Sequence, residues 1–382
     1  MHNKESIGLY IHLPWCIRKC PYCDFNSHPL HNELPEAIYA KALTSDLVFE
    51  AEKLNDRTVH SIFFGGGTPS LFSDHAIGKI LDTIVKHFSV PNDAEISLEA
   101  NPGTAEIEYF KGYHSAGINR LSLGVQSLND DMLERLGRIH NSKESLHAYD
   151  VARQAGFENI NLDIMFGLPE QDLQQAVSDL RSAISLQAEH LSWYQLTLEP
   201  NTAFAYSPPQ LPDNDTCANI HELGIDLLEE RGLQRYEISA FAQPGYQCRH
   251  NLTYWQFGDY LGIGAGAHGK LTTDQITRFS KVRHPKEYMQ KAGSADAYHD
   301  IKQIKDSELL FEFLLNQLRL TEGFHLDALQ SETGISAKSL LDQLPRAFED
   351  GLLMIDGNTC RTTKTGIRFL NEILLGVLPE KC

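Results

Sequence analysis

Between residues 6 and 200 the chain repeats one rhythm: a short apolar run rich in β-branched and aromatic residues, a loop, then a stretch with helical spacing. The runs are SIGLYIHLP, HSIFFGGGTP, AEISLEANP, INRLSLGVQS, NINLDIMFGLP and HLSWYQLTLEP. Between them lie amphipathic segments such as Glu36–Leu54, Ala76–His87 and Gln171–Leu186, whose apolar residues recur at the period of a surface helix. Strands alternating with helices predict βα units on a parallel sheet. Six units fall short of the eight that close a full barrel. The pattern therefore predicts an α/β fold built on an open, partial (β/α)6, TIM-like barrel.

After about Pro208 the rhythm loosens. Asp213–Arg231 reads as a helix, and ISAFAQPGYQCRHNLTYWQFGDYLGIGAGAHGK reads as an irregular stretch rich in aromatic residues and glycine. From Asp306 helical spacing returns in DSELLFEFLLNQLRL, HLDALQSETG and SAKSLLDQLPRAFEDG. The segment LLMIDGNTCRTT then sets an Asp-Gly turn between two short apolar runs, the signature of a hairpin. Helices followed by a hairpin predict a small winged-helix-like domain. The expected division is residues 1–240 for the barrel, 241–300 for the irregular segment carrying HNLTYW, and 301–382 for the C-terminal domain.

Polar and glycine-rich motifs collect at one end of the predicted strands: the cysteine loop, GGGTP, EANP, GVQS and GLP all follow their apolar runs. One such ending only stops a strand, but five on the same rim of a parallel barrel predict a site, because the loops there converge on one mouth. Composition narrows what that site handles. The formal net charge of −18 repels phosphate backbones and argues against a nucleic-acid partner. A winged helix usually suggests DNA, yet Asp306–Cys382 holds twelve acidic against seven basic side chains, which suits packing or partner docking better. No apolar run approaches a membrane span, and the start lacks the apolar core of a signal peptide, so a cytoplasmic location is expected.

Three of the seven cysteines stand together in WCIRKCPYCDF, as Cys16, Cys20 and Cys23; Cys217, Cys248, Cys360 and Cys382 are scattered. This is not a disulfide framework, and it points to metal or catalysis. A closed structural zinc site takes four ligands, and no second C-x-x-C follows. Three thiolates suit a 4Fe–4S cluster, which normally takes four, with one iron left for another ligand. Cys382 is given no role.

This C-x-x-x-C-x-x-C loop after a first strand, followed by GGGTP, resembles the radical S-adenosylmethionine (SAM) enzymes. The resemblance implies a cluster held by Cys16, Cys20 and Cys23, with SAM on the open iron as a source of radicals. It implies that Gly66, Gly67 and Thr68 meet the amino group of SAM. Glu99, Gln126, Arg138 and Asp163 add one charged or amide group each near the rim. A zwitterionic ligand would partner the charged ones, although a mutual salt bridge of Glu99, Arg138 and Asp163 would also satisfy burial. Tyr10 and Tyr22 flank the loop and either line the SAM pocket or belong to the core.

The order Y-I-H-x-P-x-C, GGGTP, E-x-N-P, GVQS and D-x-x-x-G-L-P, with a small C-terminal helical module, resembles the coproporphyrinogen III oxidase-like branch over essentially the whole chain. Within it two functions compete: oxygen-independent decarboxylation of coproporphyrinogen, and heme delivery by a chaperone paralogue. The oxidase loop carries a further cysteine two residues after the third, where this chain has Phe25. RHNLTYW, Arg249–Trp255, matches the H-N-x-x-Y-W motif of the chaperone family, whose histidine is implicated in heme binding. His250 is then a candidate axial ligand, Tyr254 and Trp255 cover for the porphyrin face, and Arg249 a partner for a propionate. A lone histidine in an aromatic patch is more often a hydrogen-bonded core residue. His268 in GAGAHGK is a weaker candidate, because no aromatic residue neighbours it in sequence, and Cys248 is left without a decisive role. The chaperone reading implies heme as cargo, respiratory hemoproteins as acceptors, and no coproporphyrinogen dehydrogenase activity. It leaves room for membrane association through partners and for a homodimer. A tRNA-modifying or methyl-transferring radical SAM enzyme fits less well, given the acidic charge.

Overall fold

Each of the six apolar runs is a strand: β1 (Ser6–Leu13), β2 (Thr58–Gly66), β3 (Glu95–Ala100), β4 (Arg120–Gln126), β5 (Ile160–Phe166) and β6 (His190–Gln195). They pair in parallel and in chain order across one sheet, with Ile11 opposite Phe64 and Leu98 opposite Leu121. The computed structural model describes residues 6–54, 57–103 and 108–379, so Cys382 lies outside it. Both faces of the strands are covered, which explains their near-continuous apolar sequences; every residue of β4 is buried.

The crossover helices include α1 (Glu36–Ala51), α2 (Asp74–His87), α3 (Phe110–Ala116), α4 (Ser142–Gln154) and α5 (Leu173–Ser185), and α6 (Asn214–Glu229) follows β6. Their starts follow from caps. Ser73 accepts the Ala76 amide, so α2 begins two residues before the spacing of its apolar positions alone indicates. Asn141 with Glu144, and Asp172 with Gln175, form reciprocal capping boxes at α4 and α5.

The stretch 241–300 is not irregular, which corrects the expectation. It holds α7 (Arg249–Trp255) and, counting from just before it, five strands: β7 (Ala240–Ala242), β8 (Tyr260–Ile263), β9 (His268–Thr272), β10 (Ile276–Lys281) and β11 (Tyr298–Gln303). β8 returns to pair in parallel with β1, and β9 to β11 continue outward as an antiparallel meander. Toward the other edge β7 runs antiparallel to β6, and the two-residue strand Gln234–Arg235 pairs antiparallel with β7 as the outermost member. The result is a twelve-stranded sheet whose two edges stay unpaired with each other, so the barrel is open, as six units required.

A buried ionic knot fastens this extension to the barrel. Lys281 Nζ on β10 donates to Asp46 Oδ1 at 2.9 Å and Glu50 Oε1 at 2.8 Å on α1, and all three side chains are essentially unexposed. Tyr288 and Tyr298 hydroxyls complete the two carboxylates. After α8 (Asp306–Gln317), three further short helices, Leu326–Thr333, Ala337–Gln343 and Pro345–Glu349, precede the hairpin Leu353–Asp356/Thr359–Thr362, whose Gly357 has φ +58°. The short strand Phe324–His325 adds a third member, completing a winged-helix-like module. Phe257 and Ile276 of the extension pack into the core of this module with Phe313 and Phe324.

Candidate functional site

Beyond β1 the two-residue strand Trp15–Cys16 pairs with His28–Pro29. This closes the cysteine loop over the C-terminal rim of the barrel, with the Leu30 amide donating to the Cys16 carbonyl at 2.8 Å. The three thiols are free and half-buried. Burial pushes those of Cys16 and Cys23 up, against hydroxyl contacts from Thr68 and Ser27 that favour the thiolates. Arg138 Nη1 lies 3.4 Å from the Cys20 sulfur. Among the described residues no three His, Cys, Asp or Glu side chains converge on a single-ion site. A four-iron cluster makes no such demand, since its ligands sit around a cube, each on its own iron. Three free thiols on one loop beside a cation fit that group. So does Arg138 Nε, which is buried without a partner.

The thiols open onto a cavity of about 530 Å³ that Tyr22, Gly66, Gly67, Thr68, Glu99, Gln126, Arg138 and Asp163 also line. Most of the residues expected at the rim therefore meet in one place. The glycines answer to the protein's own backbone: a Cβ on Gly66 would strike the His12 ring, and one on Gly67 the Trp15 carbonyl. Gly66 also has φ +121°, where a side chain is disfavoured. The Gly66, Gly67 and Thr68 amides are engaged by Glu99 Oε2, the Leu13 carbonyl and the Trp15 carbonyl. What this loop can offer a ligand is acceptors, which suits an ammonium group.

Glu99, Arg138 and Asp163 form no salt bridge with one another; that simpler explanation does not hold. Burial, and secondarily the Asp163 carboxylate, push Glu99 up to about 7. Asp163 is raised by burial against hydrogen bonds from Asn161, Ser192 and Ser122. Arg138 Nη2 donates to Asn101 Oδ1 at 2.7 Å and the Gly124 carbonyl at 2.9 Å. Burial opposes its charge, but Tyr22 and Cys20 outweigh that. Gln126 stands at φ +68°, where the register of β4 with β5 shifts, and accepts from the Tyr194 hydroxyl at 2.7 Å. A non-glycine residue held there costs on the order of 1 kcal/mol and marks a constrained site. Sequence reasoning missed Asn101, which joins Arg138 to Thr68 through its Nδ2 at 2.9 Å from Oγ1. The signal was in the quoted EANP motif, two residues beyond Glu99.

Tyr10 is not on this cavity. It lines a second one of about 670 Å³, together with His12, Tyr254, Trp255, Tyr260, His268, Arg283 and His299. The two cavities adjoin, sharing Asp24, Phe25, Gly66 and Glu99. Phe25, 61% exposed, is a large aromatic side chain left uncovered at their boundary.

His250 lines neither cavity. It is 1% exposed, with Nδ1 3.0 Å from the Ser61 hydroxyl and Nε2 2.7 Å from the Tyr254 hydroxyl, so both ring nitrogens are engaged. Burial holds it down to about 3, neutral at any ordinary pH. Its helix α7 is capped from the barrel by Glu95, whose carboxylate accepts the Arg249 and His250 amides at 3.1 and 3.2 Å. Cys248 is wholly buried against Glu95 and pushed up to about 12 by burial, and it touches neither cavity. Arg249 is turned to Asp93 at 3.5 Å. His268, by contrast, is exposed on the second cavity, and the aromatic residues missing from its sequence neighbourhood are brought to it by α7 and β8.

The sequence model of the Radical SAM superfamily matches residues 10–183, and that of the HemN C-terminal domain matches residues 304–369. The chain is 48% identical to the heme chaperone HemW of Haemophilus influenzae and 46% identical to that of Escherichia coli, covering 100% of both chains in each comparison. Identity to HemW of Bacillus subtilis is 35%, over 97% of this chain and 99% of the relative. Among solved structures, coproporphyrinogen III oxidase (HemN) from Escherichia coli superposes with a TM-score of 0.84 at 22% identity, over 98% of this chain and 91% of that one. At that identity the likeness concerns the fold.

Proposed function

The chain belongs to the HemW family of the radical SAM superfamily, and we propose that it is a heme chaperone that carries a SAM-binding 4Fe–4S cluster and passes heme to respiratory hemoproteins. The observation that carries this reading is the second cavity: an aromatic-walled space the size of a cofactor pocket, adjoining the cavity of the cysteine loop. In this reading Cys16, Cys20 and Cys23 hold the cluster and leave one iron for SAM. When bound, the cluster with SAM supplies one-electron chemistry. The chain's own residues orient and bind: carbonyls of the Gly66–Thr68 loop with Glu99 take the ammonium side of the ligand, and Arg138 offers its free Nε toward negative charge.

No helix among the described residues is long and apolar enough to cross a membrane. Delivery to membrane-bound acceptors from the cytoplasm would therefore run through partners. The test is an anaerobic heme titration of cluster-reconstituted protein, followed by transfer to an apo-hemoprotein, with a parallel search for vinyl product from coproporphyrinogen. Saturable binding and transfer without vinyl product are expected. Vinyl product formed with SAM consumption would instead assign the decarboxylase reaction.

A further inference from the structure

The second cavity has chemistry that the residues of the cluster cavity do not explain. Three aromatic side chains stand on it from two consecutive elements, Tyr254 and Trp255 of α7 and Tyr260 of β8. Tyr254 and Tyr260 meet edge to face at 4.5 Å between centroids, which fixes both rings. Such a wall presents flat apolar area with polar tips, the surface that a large conjugated ring system buries well.

Opposite in chemistry stand His268, the first residue of β9, and Arg283, just beyond β10. The His268 imidazole has no hydrogen-bond partner among the described residues and is exposed to the cavity. Burial, with help from Arg283 and Arg278, keeps it below the ordinary imidazole range and so neutral, the form that ligates a metal. Arg283 pairs with no carboxylate among the described residues, and a guanidinium prefers a bidentate carboxylate partner. His250 offers the opposite case: buried, with both nitrogens occupied. To reach iron it would have to surrender the Tyr254 hydroxyl and leave its place between β1 and β2, where it stacks on Phe63 at 5.2 Å and Tyr10 at 6.2 Å.

Resting on the heme reading above, we propose that heme occupies this second cavity, with His268 as the axial ligand of its iron, Arg283 paired to a propionate, and Tyr254, Trp255 and Tyr260 against the porphyrin face. His250 is then a positioning residue that holds Tyr254 through the 2.7 Å hydrogen bond. Phe25, uncovered between the two cavities, is buried when the porphyrin enters.

The experiment is heme titration of the full-length, cluster-reconstituted protein by visible absorption, for wild type, His268→Ala, His250→Ala and His299→Ala. Exposed His268 makes no contact that the fold depends on, so its removal leaves folding intact. His268→Ala is expected to weaken binding at least tenfold and to shift the Soret and charge-transfer bands, with added imidazole restoring the wild-type spectrum. His250→Ala is expected to weaken binding while leaving the band positions of bound heme unchanged, and His299→Ala, on the same cavity wall, likewise to leave those band positions unchanged. A His268→Ala spectrum and Kd that superpose on wild type would overturn the assignment. So would loss of the ligand bands in His250→Ala alone. Failure of wild type itself to bind heme would instead remove the chaperone reading on which the assignment rests.

Discussion

Replacing Glu99 by Gln should stabilise the cofactor-free protein at alkaline pH while weakening its hold on SAM. Glu99 lines both cavities, accepts the Gly66 amide at 3.0 Å, and is pushed from the ordinary 4.5 to about 7, first by burial and then by Asp163. A carboxyl whose pKa rises on folding favours the folded state when protonated. Its contribution is full below about 4.5 and is lost as the pH climbs through about 7. The shift corresponds to at most about 3 kcal/mol, and water in the cavities screens part of it, leaving roughly 1–3 kcal/mol. Gln keeps an acceptor for Gly66 and carries no charge, so at pH 8.5 the variant should gain that amount. Unfolding entropy of about 2 cal/mol/K per residue makes this a rise in Tm of roughly 1–4 °C, shrinking to nothing near pH 4.5. Calorimetry of cluster-free wild type and variant at both pH values measures it. A variant destabilised equally at both would refute the account and show that Glu99 serves the fold through its hydrogen bond alone. In the reconstituted protein the same change removes the negative charge proposed to face the ligand ammonium, so affinity for SAM should fall as stability rises.

Cys20→Ala should abolish the visible absorbance and iron content of anaerobically reconstituted protein while leaving far-ultraviolet dichroism unchanged, since this thiol lines a cavity rather than the core. Retention of a full complement of iron would exclude Cys20 as a ligand. Lys281→Met leaves the Asp46 carboxylate buried without its cation and Glu50 with only the more exposed Lys53 at 3.4 Å, and should cost about 3–5 kcal/mol in urea unfolding. Converting both carboxylates to apolar residues in the same chain should recover most of that loss, and failure to recover it would show that the knot contributes more than charge pairing.

The barrel was legible because parallel strands covered on both faces are written as continuous apolar runs, and because each run ended in a rim motif. The second half was not. β8 is four residues, YLGI, and pairs with β1 some 250 positions earlier in the chain. No local pattern reports such pairing, and glycines that weaken a strand by propensity are here required by close backbone approach, as at Gly262 against the His268 carbonyl. In the cluster cavity the cysteine loop, Gly66–Thr68, Glu99, Gln126 and Asp163 were legible because they stand on or just past the rim end of a strand, whereas Ser192, Tyr194, Glu237 and Asn251, which also line it, belong to no such motif. His250 shows the limit of a motif. Its spacing from Tyr254 was visible, but Ser61, which engages its other nitrogen, lies 189 residues away. His268 shows the converse, with aromatic neighbours supplied only when α7 and β8 fold beside β9.

The wall common to the two cavities gives a ligand in one a route to act on a ligand in the other. Gly66, Glu99, Asp24 and Phe25 face both, and His12 spans the partition, its Nδ1 3.0 Å from the Tyr10 hydroxyl and its Nε2 2.9 Å from the Asn26 carbonyl of the cysteine loop. Whatever factor SAM imposes on the dissociation constant of the second ligand, that ligand must impose on the dissociation constant of SAM. Closing the four-sided binding cycle by calorimetry therefore yields a single heterotropic free energy from two independent routes. A value above unity in affinity ratio would make the iron–sulfur site a loading sensor, tightening its grip on SAM only when cargo is aboard.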